Sequence, residues 1–407
     1  MKAKYIGAIF LQALAPLMLL GFSLVIAHSE GVDVQGAFAA AKSWFDLLVV
    51  FGCFGFPQSS ILAINREGAS PSWLFRAAFI YSSALVVFFA ASSFFLQKSL
   101  SSNLPLSFCV GIGASAAVLV NIWRGIALTL EDGLRFHLIT ALPTVAFLTV
   151  ASFGVLNGAS LKTSTALLYG ASAIVLVPAA YFVFPLKKLA QIKGVVPNIS
   201  ALVTSGTEVF LQGISNVFQV FFCLWLLKRE FGLEQVGYFS LSLMLVNAFA
   251  FPLQAISPII LNKWSKHTDN RALMSGAGLI NVMLLALLAL MGALCASIPY
   301  LVELFNIEKL KAAAPSMQIA LFVLIPSLAL RIDGLRLSAT GNLRFNSALM
   351  IAKCLAFSLS FLVLVLFLKR ENGVNAAMIC WLFAEILAAI ACRLRVRSVL
   401  RQRLASP

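Results

Sequence analysis

Long apolar stretches alternate along this chain with short polar and basic ones. A helix needs about 20 mostly apolar residues to cross the hydrocarbon core of a bilayer. On that scale the pattern predicts twelve spans, near residues 5–28, 37–64, 76–97, 105–128, 136–156, 164–185, 199–227, 236–262, 273–298, 313–331, 345–368 and 374–392. The first is too long for the apolar part of a signal peptide, and it has a twin later in the chain. The loops between spans stay within about 15 residues, which leaves no extramembrane domain for a soluble active site.

Composition narrows the class. Of 407 residues, 61% are apolar and only 11% charged, with a mean hydropathy of +0.96. A soluble globular protein has roughly 45–50% apolar and about 25% charged residues. Thirty-four Phe and fifteen Asp and Glu also argue against a transmembrane β-barrel, whose strands alternate around a polar lumen. The fold class expected is an all-α integral membrane protein.

The net charge of +15 does not indicate nucleic acid, because the basic residues lie in short runs between spans. With the N-terminus on the cytoplasmic side, nineteen Lys and Arg fall inside and eight outside, and three (Lys42, Arg124, Lys353) lie within spans. Both termini are therefore expected in the cytoplasm. Cys53, Cys109, Cys223, Cys295, Cys354, Cys380 and Cys392 show no C-x-x-C spacing and read as small core hydrophobes. His28, His137 and His267 are far apart at span ends, without ligand spacing, so no catalytic metal is expected. There is no P-loop sequence, and hence no nucleotide site.

The two halves of the chain resemble each other. Phe10-Leu11-Gln12 recurs as Phe210-Leu211-Gln212 at an offset of 200. Gly31-Val32-Asp33 then pairs with Gly232-Leu233-Glu234 at an offset of 201, as do Gly36 with Gly237, Phe38 with Phe239, Asp46 with Asn247 and Pro57 with Pro258. Leu134-Arg135-Phe136 matches Leu343-Arg344-Phe345 at 209. Six spans per half start each half on the same side of the membrane, which makes this a parallel repeat. Transporters built in this way hold substrate between the halves and rock them for alternating access. The expected domains are residues 1–190 and 191–407, joined by the basic connector from Pro185 to Pro197.

The outer loop ending in Gly-x-Phe (Gly36-Ala37-Phe38, repeated as Gly237-Tyr238-Phe239) and the long second span with its late Phe56-Pro57-Gln58-Ser59 resemble the polysaccharide-transporter branch of the multidrug/oligosaccharidyl-lipid/polysaccharide exporter superfamily. The resemblance is to its lipid-linked oligosaccharide, or O-antigen, flippases and covers the whole chain. It implies two pseudo-symmetric six-helix lobes around a central cavity in a bacterial inner membrane. It further implies export of an undecaprenyl-pyrophosphate-linked glycan to the periplasmic leaflet, with membrane lipids, a glycan polymerase and chain-length proteins as partners.

An ionisable group in mid-bilayer costs several kcal/mol, so each one kept there is a candidate for function. Lys42 and Asp46 stand four apart in span two, roughly 9 and 15 Å below the outer surface at about 1.5 Å per residue. They form either a self-neutralising pair or part of a cavity, and Asn247 is the repeat equivalent of Asp46. Span seven carries Glu208, Gln212, Asn216 and Gln219 on one helical face, with Ser215 beside them. This stripe suits sugar hydrogen bonding or interhelical hydrogen bonds. Arg124, three residues after Asn121, either snorkels to headgroups or contacts substrate. Lys353, about 12 Å into span eleven, either meets a phosphate or pairs with Glu385 in span twelve. Arg331, Asp333 and Arg336 anchor span ten and are candidates for an inner gate.

Lys42, Arg124, Glu208, Gln212, Asn216, Asn247 and Lys353 are thus the expected substrate contacts, and Asp46, Glu208 and Glu385 the expected ion carriers. No cofactor is expected, and a proton or sodium gradient would supply the energy. A cation-coupled multidrug or metabolite antiporter of the same superfamily is the alternative, with a membrane glycan polymerase further behind. The protein is not expected to be an enzyme.

Overall fold

The structure, a computed structural model, describes residues 17–28, 30–100, 104–130, 134–156, 175–192, 194–266, 292, 295–298, 300, 308–340, 342–367 and 372–405. Among these the chain is helical, with one isolated β-bridge. The helices are α1 (Leu17–His28), α2 (Val32–Cys53), α3 (Phe56–Glu67), α4 (Pro71–Leu100), α5 (Leu104–Leu130), α6 (Leu134–Leu156) and α7 (175–183). They continue with α8 (Leu186–Gln191), α9 (Ile199–Glu230), α10 (Leu233–Lys266), α11 (Ala314–Ala339), α12 (Leu343–Val365) and α13 (Gly373–Ala405). A 3₁₀ turn, Glu308–Ala313, leads into α11. By length and composition, seven of the described helical stretches can cross a membrane. This is a multi-pass membrane protein. The Phe10-Leu11-Gln12 anchor, Pro16, residues 164–174, His267 and most of the expected span at 273–298 lie outside the described residues.

The repeat read from the sequence appears in the backbone. α1 and α9 end in the same way, through glycines of positive φ: Gly31 at 110° and Gly232 at 92°. Glu30 N–H and Gly31 N–H both donate to Ile26 O, and Phe231 N–H and Gly232 N–H both donate to Leu227 O, the residue 201 positions on. A side chain at either glycine would strain this helix-ending conformation. In their first turns α2 and α10 then approach closely. A Cβ on Gly36 would collide with Leu233 O, and a Cβ on Gly237 with Val32 O.

The repeat is broken at one point. The expected second span, 37–64, is two helices, with Phe54 at φ 43° and Gly55 at φ 72° between them. Pro57 sits in the first turn of α3, where its missing N–H has no intrahelical partner to lose. Its counterpart Pro258 lies inside the unbroken α10. Proline alone therefore does not make the break. At the offset of 201 the residue matching Gly55 is Ile256, a β-branched residue for which positive φ is a genuine outlier.

By contacts the chain forms two compact units, Met1–Leu19 with Ala40–Val217 and Leu20–Ala39 with Phe218–Pro407. In the first, α5 is the central helix, with Ala114, Val118, Ile122, Ile126 and Ala127 all buried. Trp123 stacks on Phe75 of α4 at 4.4 Å and 9°, and its indole N–H donates to Phe75 O at 3.3 Å. Gly125 lets α3 in, since a Cβ there would collide with Pro57 O. The connector belongs to this unit. Val195 pairs in parallel with the α3–α4 turn, accepting from Ser70 N–H at 2.8 Å and donating to Gly68 O at 3.1 Å. Asn198 Oδ1 then caps α9 by accepting from Ser200 N–H at 3.0 Å.

In the second unit α11 packs against α10 and α13, and α12 against α13. Phe239 and Phe357, both fully buried, pack against the ring of Trp381, and the buried Phe361 stacks on Phe357. The hydroxyls of Ser242 and Ser316 meet at 2.9 Å between α10 and α11.

Candidate functional site

In the first unit the Lys42 ammonium donates to Asp46 Oδ2 at 2.5 Å, one turn along α2. The spacing alone brings them together, because residues four apart share a helix face. Both side chains are partly exposed, 29% for Lys42 and 43% for Asp46. The pair is thus self-neutralised without being sealed in the core. On α9, Glu208 and Gln212 are half-buried and Asn216 is exposed, its amide donating to Gln212 O at 3.1 Å. Ser215 turns inward and donates to Leu211 O at 2.6 Å. Arg124 lies on α5 next to the buried Trp123, and its guanidinium covers the ring of Phe136 on α6 at 5.4 Å.

The last member of the α9 stripe falls in the second unit. Gln219 is 1% exposed, and neither amide atom has a hydrogen-bond partner. Asn247 is exposed on α10. Lys353 and Glu385, both 5% exposed, come together from α12 and α13 with Nζ donating to Oε1 at 2.8 Å. Trp381 Nε1–H donates to the same oxygen at 3.0 Å. Each half of the pair is far along its helix, Lys353 roughly 15 Å from the start of α12 and Glu385 roughly 18 Å from the start of α13 at about 1.5 Å per residue. This places a fully desolvated charge pair near the middle of the spanning segments. Close by in sequence, Arg336 donates to Asp333 at 3.0 Å and Arg393 lies 3.8 Å from its other oxygen, while Arg331 is exposed.

No group of three His, Cys, Asp or Glu among the described residues could hold a metal ion. The sites combine carboxylates paired one to one with lysines and an amide-rich helix face.

No protein-family model and no curated protein sequence matches the chain. Solved structures do. An inward-facing multidrug resistance MATE family transporter of the MOP superfamily aligns over 98% of this chain and 100% of its own, with TM-score 0.73 at 14% identity. An outward-facing form aligns over 97% and 94%, with TM-score 0.72 at 14% identity. A MOP superfamily transporter from Pyrococcus furiosus, described as having a binding pocket of reverse polarity that suggests a different function, aligns over 97% and 94%, with TM-score 0.70 at 15% identity. The fold is that of the MATE transporters. It comprises about twelve helices in two lobes, as the span pattern and the repeat predict.

Within the MATE fold the expected site residues divide between the units. The structure brings together Lys42 with Asp46, and Lys353 with Glu385. Glu208, Gln212 and Asn216 share one face of α9. Two polar groups escaped the sequence reading. Trp381 stands one turn before Glu385, a spacing that was visible in the chain. Gln35 is fully buried and donates to Ser240 Oγ at 2.9 Å, a contact 205 residues apart that no local pattern reveals.

Proposed function

We propose that this protein is a secondary transporter that exports small organic molecules by alternating access, coupled to a cation gradient. The observation that carries the reading is the near full-length likeness to MATE structures in both inward- and outward-facing forms. The site chemistry agrees with it. Lys42 and Lys353, the two lysines available for a pyrophosphate, are each held by a carboxylate. This lowers the positive charge that a diphosphate would require. The same carboxylates suit coupling, since protonating or cation-loading Asp46 or Glu385 would release its lysine and alter the local charge by one unit. Glu208 is the third candidate carrier. Both termini lie in the cytoplasm on the distribution of basic residues.

The polar face of α9 supports a second reading, export of a lipid-linked oligosaccharide, because Glu208, Gln212 and Asn216 offer donors and acceptors suited to sugar hydroxyls. One experiment separates the two. In cells lacking the protein, the first reading expects greater sensitivity to lipophilic cations and loss of ethidium efflux that a protonophore also abolishes. The second expects normal efflux and accumulation of lipid-linked oligosaccharide that an impermeant lectin cannot reach. Normal behaviour in both assays, with no compensating transporter in the strain, would overturn both.

A further inference from the structure

The exposed face of α13 changes character towards its C-terminal end. Ile379, Phe383, Ile386, Leu387, Ile390 and Leu394 are all exposed. Their spacing of three and four residues places them in one stripe along the helix. The same register continues to Arg397 and Arg401, which are exposed as well. One face is therefore apolar for about four turns and then cationic.

The change falls where acyl chains give way to headgroups. Lys369, Arg370 and Glu371 precede Gly373, the first residue of α13, and mark one edge of the membrane. At about 1.5 Å per residue, Leu394 lies roughly 32 Å from Gly373, Arg397 roughly 36 Å and Arg401 roughly 42 Å. The hydrocarbon core is about 30 Å thick, and the bilayer with its headgroups about 40–45 Å. The apolar stripe thus spans the core, and both arginines stand among the headgroups of the far leaflet.

This end of α13 is held in place from its other face. Cys392, Val396 and Val399 are buried in a cluster with Leu330 and Leu337 of α11 and Met350 of α12. Arg395 donates to Asn342 Oδ1 at 3.5 Å and lies over the ring of Phe345 at 5.4 Å, which fastens α13 to the start of α12. The buried Asp333 accepts from Arg336 at 3.0 Å and lies 3.8 Å from Arg393. Among the described residues, Arg397 and Arg401 form neither an ion pair nor a hydrogen bond. Two positioned guanidinium groups at the end of an acyl-chain track suit a lipid phosphate, whose geometry their planar forks match. An anionic headgroup suits them better than a zwitterionic one, because its negative charge is not cancelled within the lipid.

We infer that Arg397 and Arg401 bind the headgroup of an anionic phospholipid whose acyl chains lie along Ile386, Ile390 and Leu394. On the distribution of basic residues this is a lipid of the cytoplasmic leaflet. The site does not depend on the transport reading.

The test is native mass spectrometry of the full-length protein released from maltoside micelles, after titration with phosphatidylglycerol or, separately, with phosphatidylcholine of the same chains. Each arginine near an anionic headgroup contributes about fivefold. Combined Arg397→Gln and Arg401→Gln should therefore weaken phosphatidylglycerol binding by about 25-fold and leave phosphatidylcholine binding nearly unchanged. The single variants, with about fivefold each, carry the test if the double variant does not fold. Arg397→Lys with Arg401→Lys keeps both charges and should retain most of the preference. The control removes two exposed cations from the end of α9 by Lys228→Gln with Arg229→Gln. That end lies beside the start of α13, where Val374 N–H donates to Gln235 Oε1 at 3.4 Å. The control should bind phosphatidylglycerol as wild type does. Equal loss in the control and in the Arg397/Arg401 variant would reduce the effect to net charge and overturn the inference. So would unchanged phosphatidylglycerol binding in the Arg397/Arg401 variant. A lower number of chains per complex in that variant, with lipid binding intact, would assign the face to a second copy and overturn it as well.

Discussion

Gly36 and Gly237 form a mutual contact between α2 and α10, each leaving room for a backbone carbonyl of the other helix: Leu233 O at Gly36 and Val32 O at Gly237. The four residues are two repeat-related pairs at the same offset of 201, so the contact is its own mirror image. Gln35 and Ser240 fasten the same crossing with a buried hydrogen bond.

Replacing either glycine by alanine puts a methyl group into a carbonyl, and the crossing has to open. Overpacking of this kind typically costs about 1–3 kcal/mol. Gly36→Ala and Gly237→Ala are expected to lower the unfolding midpoint by similar amounts. The double variant should lose less than the sum, because one opening relieves both collisions. Strict additivity in thermal unfolding would show that the two positions do not share a contact.

This crossing also shows what could be read from the chain. Gly36 and Gly237 were paired by the repeat alone, because both demands on glycine, a tight turn before and a close approach after, leave a residue-type signal. Lys42 with Asp46 was legible from helix spacing, and Lys353 with Glu385 from the expense of a lone charge in lipid. The break after Cys53 was not legible, since Pro57 is visible in both halves and the deciding difference is the positive φ available to Gly55 and denied to Ile256. Nor was the burial of Gln219. Its spacing puts it on the stripe with Gln212 and Asn216, but packing against a second element determines its exposure, and periodicity contains no information about that partner.

Gly55 offers a second test. Its φ of 72° is costly for a side chain, and a Cβ there would also collide with Gly206 O on α9. The left-handed conformation alone costs roughly 1–2 kcal/mol for a non-glycine residue. Gly55→Ala should therefore destabilise by more than that, while Gly68→Ala, also at positive φ but with open space around it, should show the conformational part only. Comparing the two unfolding midpoints isolates the contribution of the collision.

Lys42 and Asp46 should separate stability from function. An ion pair one turn apart on a helix is worth about 0.2–0.5 kcal/mol, so Lys42→Gln, which keeps a hydrogen-bond donor for Asp46, is expected to leave the unfolding midpoint nearly unchanged. If the pair takes part in transport, substrate efflux by the same variant should fall several-fold. A variant with unchanged stability and unchanged efflux would reduce the pair to a device for keeping α2 in the membrane.

The Lys353–Glu385 pair should behave in the opposite way. With both side chains 5% exposed, removing one partner strands a desolvated charge, which costs about 3–5 kcal/mol. Lys353→Met and Glu385→Met are each expected to be strongly destabilised, and the double variant to recover most of the loss, because an apolar replacement of a whole buried pair is often neutral. That double variant then decides the role of the pair. It should fold, and if Glu385 carries the coupling cation, efflux should persist down a substrate gradient but no longer respond to an imposed proton or sodium gradient. Full gradient response in the double variant would assign coupling to Asp46 or Glu208, leaving Lys353 and Glu385 as a fastening between α12 and α13 with Trp381 as its third member.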